Sequence, residues 1–240
     1  MTAATSPLAT DAAHNAVPAS GPADIASMRP RAGRWLALAG ILGIAWPAAF
    51  VLADAPLARW LAAHKLPDVP SKFFEAAEPL GTIYGHLIVF GLVFALDPLQ
   101  RRRLPRIVAA AWLGGMAANI VKLFLARTRP KYADLAALDW SAGFVGVLPF
   151  GAGGSRFQSF PSAHTASAVA LCLALGLVYP RGRAVFVTLA ICAGLQRLTS
   201  HSHYLSDVVA GALLGLLVAG VLCGPGPLGR VFDRYEATTP

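Results

Sequence analysis

The chain has 240 residues, enough for one domain of ordinary size. Apolar residues make up 56% and charged residues only 13%, against roughly 25% charged in soluble domains, and mean hydropathy is +0.58. A soluble helical protein does not explain several apolar stretches of membrane-spanning length, and the net charge of +8 does not point to nucleic acid, because the basic residues fall in short clusters between those stretches without interleaved aromatics.

Residues 1–28, rich in Ala, Pro, Ser and Thr, read as a disordered N-terminal tail. With neither a basic n-region nor an early apolar h-region, no cleaved signal peptide is expected there. Six apolar segments follow, at approximately 35–54, 80–97, 105–126, 163–180, 184–201 and 205–223. Each is near the roughly 20 residues needed to cross the hydrocarbon core. The expected fold is therefore all-α, a six-transmembrane-helix bundle over 29–228, with a short C-terminal tail at 229–240. Frequent Gly and Ala suit close helix contact in lipid. Pro47 is placed to kink the first span, and Pro105 suits the first turn of the third.

The linkers set an orientation. Arg29, Arg31 and Arg34 precede the first span, and Arg101, Arg102, Arg103 and Arg106 lie between spans two and three. Arg181 and Arg183 separate spans four and five, while Arg230 and Arg234 follow span six. These residues fall on one side, which the positive-inside rule makes cytoplasmic. The expectation is an integral plasma (inner) membrane protein of a bacterium, with both termini inside and three loops on the periplasmic face. Between spans one and two, Phe73, Phe74 and Ala77 suggest a short interfacial helix. The loop from about 127 to 160 suits a lid or lipid-facing cover. Cys172, Cys192 and Cys223 lie in apolar stretches without metal-ligand spacing and read as packing residues.

The informative polar residues gather at helix ends on the non-cytoplasmic side. Lys122 and Arg129 lie at the outer end of span three, Ser162 and His164 start span four, Arg197 is near the outer end of span five, and His203 and Asp207 open span six. Singly, each has a bland reading: Lys122 and Arg129 as interfacial anchors, Ser162 as a helix cap, Asp207 as a dipole partner. Ionisable groups at membrane depth are costly unless paired or functional, so six of them together with Ser162 on one face favour a site. Three cations can surround a dianionic phosphate, and Ser162 after Pro161 sits where a helix N-terminus holds an anion. His203 and Asp207, four apart, share a helical face. The carboxylate can then take the proton of one ring nitrogen and leave the other nucleophilic toward phosphorus. His164 is left to protonate the leaving oxygen and later to activate water. There is no HExxH, Cys pair or second carboxylate cluster, so no metal or other cofactor is expected. Asn119 is placed either to orient Lys122 or to satisfy a helix–helix contact, His86 reads as a packing residue, and His201 lacks a carboxylate partner. Tyr204, Trp140, Phe157 and Phe160 are candidates for an acyl or isoprenyl groove, though singly each reads first as an ordinary interfacial aromatic.

These residues carry a resemblance. The chain resembles the type 2 phosphatidic acid phosphatase (PAP2) superfamily, whose members share three short motifs. K-x6-R-P is met by Lys122 through Arg129-Pro130, P-S-G-H by Pro161-Ser162-Ala163-His164, and S-R-x5-H-x3-D by Gln196-Arg197, His203 and Asp207. Ala163 stands where the family has glycine and Gln196 where it has serine. The resemblance implies His203 as nucleophile, Asp207 as its orienting carboxylate and His164 as general acid, with Lys122, Arg129, Ser162 and Arg197 on the phosphate. It further implies a metal-independent hydrolase acting on a membrane phospholipid or isoprenoid phosphate: phosphatidate, phosphatidylglycerol phosphate, isoprenyl diphosphate or a lipid A phosphate. Two rivals use the same site, a lipid-to-lipid phosphotransferase and a non-enzymatic lipid-phosphate or anion carrier.

Overall fold

Helix after helix packs around one central helix in the computed structural model, which describes residues 32–138, 143–147 and 154–238. The expected tail at 1–28, together with Trp140, lies outside the described residues. Helix α1 is Ala32–Ala63. Pro47 lies inside it, and directly after it the helix opens into a π turn at Ala49–Ala53 before resuming at Asp54. Proline offers no amide and crowds the preceding turn, so a local widening is a natural response.

Helix α2, Asp68–Ala77, is the expected helix between the first two segments. Its apolar side divides: Phe74 and Ala77 pack with Cys192 and Ala193, while Phe73 and Val69 face outward. A 3-10 turn at Glu78–Gly81 then bends the chain by 78° into α3, Ile83–Leu96. Helix α4 is Leu104–Lys122.

The third segment was expected to stay helical to 126. Instead α4 stops at Lys122, and Leu125–Arg127 forms β1, antiparallel to β2 at Phe144–Val147. Beyond the last turn of α4 the strand pairing supplies partners for the backbone groups that the ending helix leaves unmet. This two-stranded sheet is the one sheet among the described residues.

Helix α5, Ala163–Val178, is the hub, packed on α4, on α6 (Arg183–Thr199) and on α7 (Leu205–Cys223). Close approach depends on glycine: a Cβ on Gly211 would stand 2.4 Å from the Ser162 carbonyl oxygen, and one on Gly215 2.4 Å from that of Ala166. The apolar core joins Phe90, Ile107, Ala110, Leu171, Leu175 and Leu222. All three cysteines are buried.

Helices thus occupy all six apolar segments. By length and composition three reach membrane-spanning size, α1, Pro98–Lys122 and α7, and the bent α2–α3 pair can make a fourth. The count of six is not reproduced on that measure. Helix α5 has only 16 residues and is enclosed by its neighbours, and α6 carries Gln196 and Arg197 in its last turns. The segment read as a short tail from 229 is helical to Thr238: α8, Pro227–Thr238, is anchored because buried Arg106 donates to Asp233 and Glu236, each at 2.7 Å.

Candidate active site

Four of the seven expected residues line one cavity of about 510 Å³: Lys122, Arg129, His164 and His203. Each reaches it by a different local device. Lys122 ends α4 and is almost fully buried. Arg129 lies in a loop pinned from two sides, its own amide donating to the Arg156 carbonyl at 3.0 Å and that of Lys131 to the His201 carbonyl at 3.0 Å. His164 is in the first turn of α5, beside Gly81, where a Cβ would come within 2.8 Å of the His164 carbonyl oxygen. His203 sits in the α6–α7 loop, where its amide and that of Ser202 both donate to the Arg197 carbonyl, at 3.1 and 3.2 Å. His201 in this loop has φ +51°, a left-handed turn that non-glycine residues adopt rarely. Beyond the charged end, Trp112, Met116 and Ile83 give the cavity an apolar wall, and Asn119 and His86 also line it.

Ser162 and Asp207 do not line the cavity, and both are fully buried. Ser162 caps α5, its hydroxyl oxygen accepting from the Thr165 amide at 3.3 Å and the Thr165 hydroxyl at 2.9 Å. Its amide donates to the Asp207 carbonyl at 3.0 Å, tying the starts of α5 and α7 together. Asp207 Oδ2 stands 3.6 Å from His203 Nδ1, too long for a hydrogen bond. The same oxygen accepts from Ser159 Oγ at 2.6 Å and the Tyr204 amide at 2.9 Å, while Oδ1 accepts from Arg127 Nη1.

Arg197 is oriented differently from the expectation. Its Nη2 donates to Glu78 Oε1 and its Nε to Gln196 Oε1, both at 2.5 Å, and Gln196 Nε2 donates to Glu78 Oε2 at 3.2 Å. A buried guanidinium pairs with the nearest carboxylate, and the expectation had placed none beside it. Gln196, at the position where the family motif has serine, is long enough to complete this ring.

Electrostatics follow from the enclosure. Burial outweighs the pull of the Asp207 carboxylate and pushes the His203 imidazole down to about 4, so the ring is neutral near pH 7. Burial and the neighbouring Arg197 guanidinium hold Arg129 below its ordinary value. Cations crowded this way gain from any anion placed between them. Among the described residues no group of three or more His, Cys, Asp or Glu converges to hold a metal ion.

Sequence reasoning passed over four residues, Asp54, Glu78, Arg127 and Ser159. Arg127 was within reach, a charged residue at an unspecified position of K-x6-R-P that is fully buried here. Asp54, an acid closing the apolar segment 35–54, carried the same signal of cost. Two groove candidates are core residues instead. Tyr204, 1% exposed, lies over the Arg127 guanidinium at 4.1 Å, and Phe160 packs on Trp46 and Phe144. The Tyr204 ring shields the buried guanidinium, while Phe160 belongs to an aromatic cluster.

Comparison with known proteins places this arrangement. Two curated relatives, the lipid A 1-phosphatase of Rhizobium johnstonii and that of Rhizobium etli, are 38% and 37% identical over 101 residues. Those residues are 42% of this chain and 38% and 40% of the relatives, so the match spans well under half of the curated relatives' length. The crystal structure of Aquifex aeolicus LpxE superposes with a TM-score of 0.52 at 21% identity, covering 70% of this chain and 93% of that one, a likeness of fold. The family model described as PAP2 superfamily matches residues 104–224, half the chain, from the start of α4 to the end of α7 and across all three motifs. The chain belongs to the PAP2 superfamily.

Proposed function

We propose that this protein is an integral membrane lipid phosphatase that removes phosphate through a phosphohistidine intermediate. The observation that carries the reading is the single cavity lined by Lys122, Arg129, His164 and His203, with Asp207 buried behind His203. Lys122 and Arg129 hold the phosphoryl oxygens and stabilise the charge of an in-line transfer. Neutral His203, with its Nδ1 proton directed toward Asp207, attacks phosphorus through Nε2. The bond from phosphorus to the lipid oxygen breaks, and His164, which takes up a proton once the phosphate dianion is seated among the cations, delivers it to that oxygen. Neutral His164 then takes a proton from water as the hydroxyl displaces His203 from phosphorus, giving inorganic phosphate and restoring both rings. Ser162 fixes the start of α5 behind the phosphate. Arg197 joins the cation set once its contact with Glu78 is exchanged for phosphate.

The substrate class is a phosphorylated membrane lipid whose chains leave through the apolar wall of Trp112, Met116 and Ile83. Among the lipids named above, a lipid A type 1-phosphate is the first to test, because the curated relatives are lipid A 1-phosphatases. The arginine distribution supports both termini on the cytoplasmic side and a periplasmic site.

The test is purified protein in detergent with labelled lipid phosphates. Inorganic phosphate is the expected product, and label appearing on a second lipid would assign a phosphotransferase instead. Binding without turnover would assign a carrier.

A further inference from the structure

Asp54 lies outside every motif and outside the family match at 104–224. It follows the π turn of α1, and one residue added to a helix rotates the following face by about 100°. Its side chain is 1% exposed. Oδ1 accepts from the Ser206 amide at 2.8 Å, and Oδ2 accepts from Ser206 Oγ at 2.5 Å and from Arg127 Nη2 at 2.5 Å. Arg127 in turn donates through Nη1 to Ser206 Oγ at 2.8 Å and to Asp207 Oδ1. Arg127 therefore bridges a carboxylate of α1 and the carboxylate of the first turn of α7.

We propose that Asp54 is a positioning residue for phosphoryl transfer, fixing Asp207 through Arg127 and clamping the start of α7 through Ser206. This rests on the phosphohistidine reading above. Two arguments support it beyond simple cross-linking of helices. The first is cost: three charged side chains, each at most 1% exposed, are expensive to bury where two helices could meet through alanine, as they do elsewhere in this bundle. The second is charge balance. Asp54, Asp207 and Arg127 together carry one net negative charge beside a neutral His203. When Nε2 forms its bond to phosphorus while Nδ1 keeps its proton, the ring becomes cationic and the cluster becomes neutral. Replacing Asp54 by a neutral residue would leave the cluster neutral before transfer and cationic after it, opposing the step.

Steady-state kinetics on the full chain, with inorganic phosphate binding measured alongside, separates the possibilities. Asp54→Asn is expected to lower kcat about 10- to 100-fold, as small misplacements and lost preorganised charge do. KM and the affinity for inorganic phosphate should stay within about threefold, because Lys122 and Arg129 do not touch Asp54. Ser206→Ala keeps all three charges and loosens only the clamp. It should cost kcat about 3- to 10-fold by the same logic, and it serves where Asp54→Asn is not recovered folded. Unchanged kcat in a folded variant, or a loss confined to KM or to phosphate affinity, would overturn the proposal. Failure of the underlying reading looks different, since the unsubstituted protein would then release no phosphate from any lipid.

Discussion

The two ends of α4 carry buried ion clusters of the same composition, an arginine bracketed by two carboxylates. Near the start of the helix Arg106 pairs with Asp233 and Glu236; just beyond its end Arg127 pairs with Asp54 and Asp207. The first is partly open, with Asp233 30% exposed, and fastens α8 to the bundle. The second is closed on all three members and backs a histidine at the wall of a cavity. Buried charge alone therefore does not mark a site. What separates the two is a histidine within reach and a space beside it.

The largest effect expected concerns the histidine that the second cluster backs. His203→Ala should reduce phosphate release by about 10⁴-fold or more, with inorganic phosphate still bound, as removal of a nucleophile does in other covalent enzymes. Full release by that variant would separate the cluster from catalysis. Next comes the paired test of the clusters themselves. Arg127→Gln should lower kcat by about 100-fold or more, the scale of losing a preorganised electrostatic element. Arg106→Gln should leave kcat within about threefold and cost about 1–3 kcal/mol of stability, a discounted buried-pair loss because Asp233 is partly solvated. Activity assays and thermal melts of both purified variants read this directly, and equal kinetic losses would erase the contrast.

Much of this contrast was hidden from the sequence for physical reasons. The helices were legible because lipid demands long apolar runs; Lys122, Arg129, His164, Arg197, His203 and Asp207 stood out because ionisable groups at that depth are costly, and Ser162 by its place at a helix start. The hydrogen-bonding partners were not legible. Asp54 and Asp207 are 153 positions apart, and their sharing of Arg127 depends on how α1 meets α7, which no local pattern encodes. The same holds for Glu78, whose pairing with Arg197 follows from the 78° bend between α2 and α3. Helix α8 was missed because its polar residues read as solvated until Arg106 is seen beneath them, and the β1–β2 pairing was missed because an apolar run hides where a helix stops.

Smaller effects sharpen the comparison. Ser159→Ala removes one donor to Asp207 Oδ2 and should lower kcat by about 3- to 10-fold, the scale of one lost hydrogen bond. The His203 imidazole should titrate near 4 in labelled-histidine NMR spectra of the folded protein. With a folded value below the unfolded one, its contribution to stability is full above about 6.5 and is lost as pH falls toward 4. A midpoint at or above 6.5 would mean the ring is solvated. Chelation with EDTA should leave the rate unchanged, since side-chain cations neutralise the phosphate.

Rapid acid–base quench of the protein with ³²P-labelled lipid phosphate, followed by peptide mapping, tests the central claim most directly. The account predicts a label that survives base, is lost in acid and maps to the peptide containing His203. Turnover with no such label, or a label that persists in His203→Ala, would contradict it.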